Sequence, residues 1–120
     1  MDDLTQLGDQ INMMKSETLA HYGKKVDVVH SFIEKEKNFI KRNEKIFERL
    51  NSKIDSSKRK KRKKLIKVKK RIDKKIDNSK KKLDELKKLK EKYIKEYKMQ
   101  RESLGLIDHS FIDEFYRDKE

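Results

Sequence analysis

The stretch NSKIDSS, Asn51–Ser57, lies between two long periodic segments and decides the fold. Asn, Asp and Ser side chains compete with the backbone for its hydrogen bonds and suit turns and caps. Neither glycine nor proline stands there, so two readings follow. One is a reversal at 51–57 that gives an antiparallel helical hairpin. The other is a single unbroken helix from about residue 3 to 102. The flanking segments are almost equal in length, as a hairpin requires, and the hairpin is the reading adopted.

Upstream of that stretch, Tyr22, Val26, Val29, Ile33, Glu36, Ile40, Asn43, Phe47, Leu50 and Ile54 recur at alternating steps of 4 and 3. Eight of these ten positions are apolar or aromatic, which marks a heptad seam. Phe32, Phe39 and Ile46 form a shoulder beside it, so the apolar face is wider than a two-stranded seam needs. That width implies a third helix or a partner chain, and with it a dimer or a place in a larger helical assembly. Downstream, Leu65, Val68, Ile72, Ile76, Ser79, Leu83, Leu86, Lys90, Tyr93 and Tyr97 keep the same spacing, with Ser79 and Lys90 as polar exceptions. About 45 helical residues would span roughly 70 Å.

The first twenty residues carry a net charge of −3. Asp2 or Asp3 can cap a helix there, and Leu4, Leu7, Ile11 and Met14 share one helical face. Gly8 weakens that run. The seam changes phase between Met14 and Tyr22, which reads as a stutter or a bend near Gly23. At the other end, Ser103-Leu104-Gly105 closes the second helix, because glycine readily takes the left-handed cap conformation. Residues 1–103 therefore form the hairpin, and 104–120 form an acidic tail.

The charge is concentrated. Lys58–Lys75, KRKKRKKLIKVKKRIDKK, holds thirteen bases and one acid, a net of +12 in a chain whose total is +13. The bases are Lys58, Arg59, Lys60, Lys61, Arg62, Lys63, Lys64, Lys67, Lys69, Lys70, Arg71, Lys74 and Lys75. A lysine run is usually a solvated face, but this one repels itself and stands at a helix start, where the dipole disfavours it. Pairing does not neutralise it, since Ile33–Leu50 adds six bases against four acids. A polyanion or an acidic partner is the expected complement. No aromatic residue lies between Phe47 and Tyr93, which argues against base stacking. No Asn or Gln in the tract offers an adenine contact. Phosphate-backbone contact, an anionic bilayer or an acidic protein surface remain. Lys58–Lys64 also matches a nuclear-import pattern, one that lysine-rich chains often reach by chance.

The tail is the second signal. Residues 102–120 have a net charge of −4, with Ile107, Phe111, Ile112, Phe115 and Tyr116 at helical spacing. Ser110 and Asp113 resemble a capping box, and a short amphipathic helix is expected over 110–118. Its apolar face either folds back onto the hairpin or enters a groove on another protein.

Composition supports long helices: 48% charged, no proline, three glycines. Cysteine is absent, so no disulfide or thiolate chemistry is expected. The N-terminus lacks the apolar run of a signal peptide, and no stretch approaches the roughly 20 apolar residues of a membrane span. His21, His30 and His109 have no metal-ligand spacing, and no phosphate-binding glycine loop occurs. A narrow helical pair leaves no room for an enzyme pocket, so neither catalysis, a cofactor nor a small-molecule ligand is expected. Over fewer than thirty residues, Gly23-Lys24, Phe32-Ile33 and the charged heptads down to Leu50 resemble the first core helix of F-BAR membrane-bending proteins. The aromatic N-terminal signature of that family is absent, and no function is carried over.

The sequence thus points to an all-α, non-catalytic structural or adaptor subunit. Its seam would hold a helical partner or a second copy, its basic segment a polyanion, and its tail a protein. Nucleic acid in a nuclear setting is favoured over a cytoplasmic one. The alternative is a peripheral membrane or cytoskeleton-associated protein that uses the same segment on anionic lipid or an acidic filament.

Overall fold

Heptad spacing on both sides of a short polar link folds as two helices that turn back on each other. The computed structural model describes residues 3–117, and the side chains of 6–10 and 12–117. α1 spans Asp3–Ser56, α2 spans Arg59–Ser103, and a short α3 spans Ser110–Phe115. No strand occurs among the described residues. The fold is all-α, an antiparallel helical hairpin followed by a short amphipathic helix. The expected cap at Asp2 or Asp3, the side chains of Leu4 and Ile11, and residue 118 of the tail helix lie outside the described residues. α1 runs through Gly8 and Gly23 as continuous helix, so the phase change there does not break it. A Cβ at Gly23 would stand 3.4 Å from the Tyr97 ring, an ordinary van der Waals contact, so the close approach does not itself require glycine.

The reversal is tighter and later than 51–57. α1 continues to Ser56, and only Ser57 and Lys58 connect it to α2. The serines close the helix instead of opening it. Ser56 Oγ donates to the carbonyls of Lys53 (3.2 Å) and Ser52 (3.3 Å), and Ser57 Oγ donates to Lys53 O. The bonds to Lys53 O satisfy one of the last four carbonyls, which a helix end leaves without a backbone partner. Ile54, 8% exposed, anchors the last turn by burial.

Two units divide the chain, 1–31 with 88–120 and 32–87. In the second, Ile40, Leu50, Ile72 and Ile76 form the core, with Phe47, Leu65 and Leu83 against it. All are seam positions, and a fully buried aliphatic side chain stabilises by about 1.5–3 kcal/mol. The polar seam positions are accommodated individually. Glu36 pairs with Lys82 at 3.7 Å, Asn43 Nδ2 donates to Phe39 O at 2.8 Å, and Ser79 is buried. The shoulder residues Phe32 and Ile46 stay exposed.

In the other unit α3 packs onto the seam as a third helix, whereas the shoulder residues that suggested one lie in the 32–87 unit. Val26, Ile112 and Tyr116 are buried together, with Tyr93, Ile94 and Tyr97 packed around them. α2 ends as the sequence implies: Gly105 has φ +85°, Gly105 N donates to Glu102 O and Leu106 N to Arg101 O, both at 2.9 Å. That pair of bonds is the Schellman motif. The expected Ser110–Asp113 capping box does not form. His109 takes the cap position, and the Asp108 carboxylate accepts from Ser110 N (3.0 Å) and Oγ (2.9 Å). These bonds hold the Asp108 carboxyl below its ordinary range. Asp113 is drawn away to an ion pair with Lys98.

Candidate functional site

The basic segment occupies the first turns of α2, in the 32–87 unit. Lys58 lies in the connection, and Arg59–Lys75 is helical throughout. The helix takes its inward register from Leu65, Ile72 and Ile76. Twelve of the thirteen predicted polyanion-binding side chains are exposed, and Lys69 is half-buried. None is ion-paired among the described residues. The first turn of α2 contains no acid, so the positive end of the helix dipole adds to the cations.

The helix sorts these bases by face. Lys60, Lys63, Lys67, Arg71 and Lys74 recur every three or four residues and are all exposed. That stripe offers roughly one cation per 5.4 Å turn over about 21 Å. Arg62, Lys69 and Lys70 instead border a groove with Phe47 and Ile54 of α1 and Ile66 of α2. Lys69 Nζ lies 4.9 Å from the Phe47 ring centroid. Within the segment, Ile66 and Val68 are 37% and 40% exposed. Two further grooves in this unit are lined by Lys35, Phe39, Arg42 and Ser79, and by Lys41 and Lys45 beside Lys35. These grooves are open to solvent.

Of the predicted protein-contacting residues, Ile107 lies in the link before α3, and the other four fall into two stripes about 100° apart, Phe111 with Phe115 and Ile112 with Tyr116. Ile112 and Tyr116 are buried against their own chain, which follows the fold-back alternative for that part of the apolar face. Ile107, Phe111 and Phe115 are 82%, 50% and 67% exposed. Arg101 stacks over Phe111 at 4.5 Å and donates to Asp108 O at 2.8 Å. His109 Nε2 lies 3.1 Å from Glu102.

Spacing did not reveal two polar contacts that fix the tail. Lys90 Nζ, buried at a seam position, donates to Tyr116 O at 2.5 Å, the carbonyl at the end of α3. The Tyr116 hydroxyl donates to the Asp27 carboxylate. Burial first, then this bond and the charge of Asp27, push the Tyr116 phenol above its ordinary range. The His30 ring meets Tyr116 edge-on at 5.6 Å. Lys90 as a polar residue in an apolar seam was the available signal.

Among the described residues no cluster of His, Asp or Glu could hold a metal, and no helix is long and apolar enough to cross a membrane. Comparison with protein-family models, with curated proteins and with solved structures found no match.

Proposed function

We propose that this chain is a non-catalytic structural or adaptor subunit whose basic segment contacts the phosphate backbone of nucleic acid, in a nuclear setting. The observation that carries this reading is the set of thirteen cations in Lys58–Lys75 with no ion pair among the described residues. Exposed cations at one per helical turn suit a ladder of phosphates. The lack of aromatic platforms and of amide side chains in the segment favours backbone contact without sequence readout. The exposed face of the tail contacts a protein.

A salt titration of duplex binding tests the reading. Five neutralised phosphates give a slope of log K against log salt of about −4.5, independent of sequence. Changing Lys60, Lys63, Lys67, Arg71 and Lys74 to Gln should flatten that slope. A slope near zero, or an unchanged slope in this variant, refutes it. A second reading draws on Ile66 and Val68, apolar and exposed between the cations. They favour an anionic bilayer surface. Vesicle binding that needs anionic lipid, without duplex binding, would decide for it.

A further inference from the structure

Contact with phosphates leaves one feature of the basic segment without use. The groove beside it has an apolar floor of Phe47, Ile54 and Ile66 and a basic rim of Arg62, Lys69 and Lys70, with Asp73 at one edge and a volume of about 620 Å³. Phosphate contacts come from charged and polar groups, which need no such floor. A floor of this kind with a cationic rim fits an acidic segment that carries large apolar side chains in helical register.

The chain itself contains such a segment. Phe111 and Phe115 stand four residues apart on α3 and are exposed, while Ile112 and Tyr116 hold the helix to its own chain. Residues 102–120 have a net charge of −4. Residues 32–87, the unit with the groove, hold twenty-four bases against nine acids, a net of +15. We infer that the groove receives the C-terminal segment of a second copy of this chain. Phe111 and Phe115 anchor it on the floor, and Glu114 meets the rim. This rests on the reading of the tail as a protein-contacting element and names its partner.

Sedimentation equilibrium of the full chain, cleared of nucleic acid, tests the inference. The expected result is reversible self-association at about 0.1 M salt that weakens at 0.5 M, because the exposed charges at the contact are screened. Phe111→Ala and Phe115→Ala should each weaken it roughly 10- to 30-fold, as buried aromatic anchors do. Lys69→Glu with Lys70→Glu should weaken it at least as much. Because Lys69 Nζ lies over the Phe47 ring, Lys70→Glu alone, at an exposed position, is the control that leaves the core contact intact and should weaken association in the same direction. Mixing the double variant with Glu114→Lys should restore association that neither variant shows alone.

A chain that stays monomeric at about 200 μM in low salt overturns the inference, as does wild-type association in either the groove or the phenylalanine variants. Association through the seam would behave in that second way. A foreign protein lost from native-source purifications on Phe111→Ala with Phe115→Ala, beside a monomeric chain, sinks the second-copy assignment and leaves the tail reading standing. If neither self-association nor any partner depends on these two residues, both fail.

Discussion

Ile112→Ala separates the packing of α3 from that of the hairpin. Ile112 is 0% exposed and packs with Val26, itself 0% exposed, among Tyr93, Ile94 and Tyr97. Alanine removes three carbons, a transfer loss of about 2.4 kcal/mol, and the cavity left behind raises this to about 3–4 kcal/mol. Phe115→Ala removes twice as many carbons, but Phe115 is 67% exposed, so the expected loss is under about 1 kcal/mol. A six-residue helix has no stability without docking. Ile112→Ala therefore releases α3 while α1 and α2, 54 and 45 residues long, keep nearly all the helical signal. Hydrogen exchange on peptides covering 106–117 reads this directly. Their protection should fall by about 100-fold or more in Ile112→Ala, up to the full protection that docking confers, and by less than about fivefold in Phe115→Ala. The reverse order would refute the division of α3 into a docked and an exposed stripe. Loss of the hairpin's main transition together with α3 would refute its independence.

Tyr116→Phe should flatten the alkaline limb of stability. The folded phenol titrates above its unfolded value near 10, so its contribution is present below pH 10 and is lost as pH rises toward the folded value. Denaturant midpoints of the wild type should fall above pH 10 more steeply than those of the variant. Gly105→Ala places a Cβ at φ +85° and should cost about 1–2 kcal/mol of α3 docking, with Gly105→Asn milder; exchange of the tail amides measures both. Arg59→Glu puts an acid in the first turn of α2, where none stands, and should raise stability by about 0.3–1 kcal/mol at low salt while weakening duplex binding. A destabilised variant would show that the charge at this helix start is structurally satisfied.

Much of the hairpin was legible because its signal is repetitive. Val26, Val29, Ile33, Ile40, Leu50, Ile54, Ile72 and Ile76 are all seam positions by spacing and all buried. Each error has a local cause. The turn was placed too early because serine and asparagine serve both turns and helix ends, and only the burial of Ile54 shows which applies. The capping box at Ser110 and Asp113 lost to Asp108 and Lys98, two choices made by geometry beyond the reach of a four-residue pattern. Residues 111, 112, 115 and 116 read as one apolar face because helical spacing cannot say which edge of a wide stripe turns inward. The basic segment was legible as charge. Its division into an outer stripe and a groove rim required the positions of Phe47 and Ile54 on the facing helix.

The placement of that charge bears on why it is there. Ile40, Leu50, Ile72 and Ile76 make the core of the 32–87 unit, and none of their packing calls on Lys60, Lys63, Lys67, Arg71 or Lys74. Any polar side chain would solvate that face as well. Lysine and arginine there also act against the helix dipole in the first turn and against each other along the stripe, which lowers stability. A cost without a packing return, confined to one stretch while the remainder of the chain is nearly balanced in charge, is expected where stability gives way to binding. The groove extends the same argument. Ile66 lies outside the buried cluster of this unit and is 37% exposed, in a groove with Phe47 and three cations. Under the proposed reading, phosphate fills the outer stripe. Under the inference drawn above, an apolar anchor with acids about it fills the groove, and Phe111 and Phe115 are candidates for it within the same sequence.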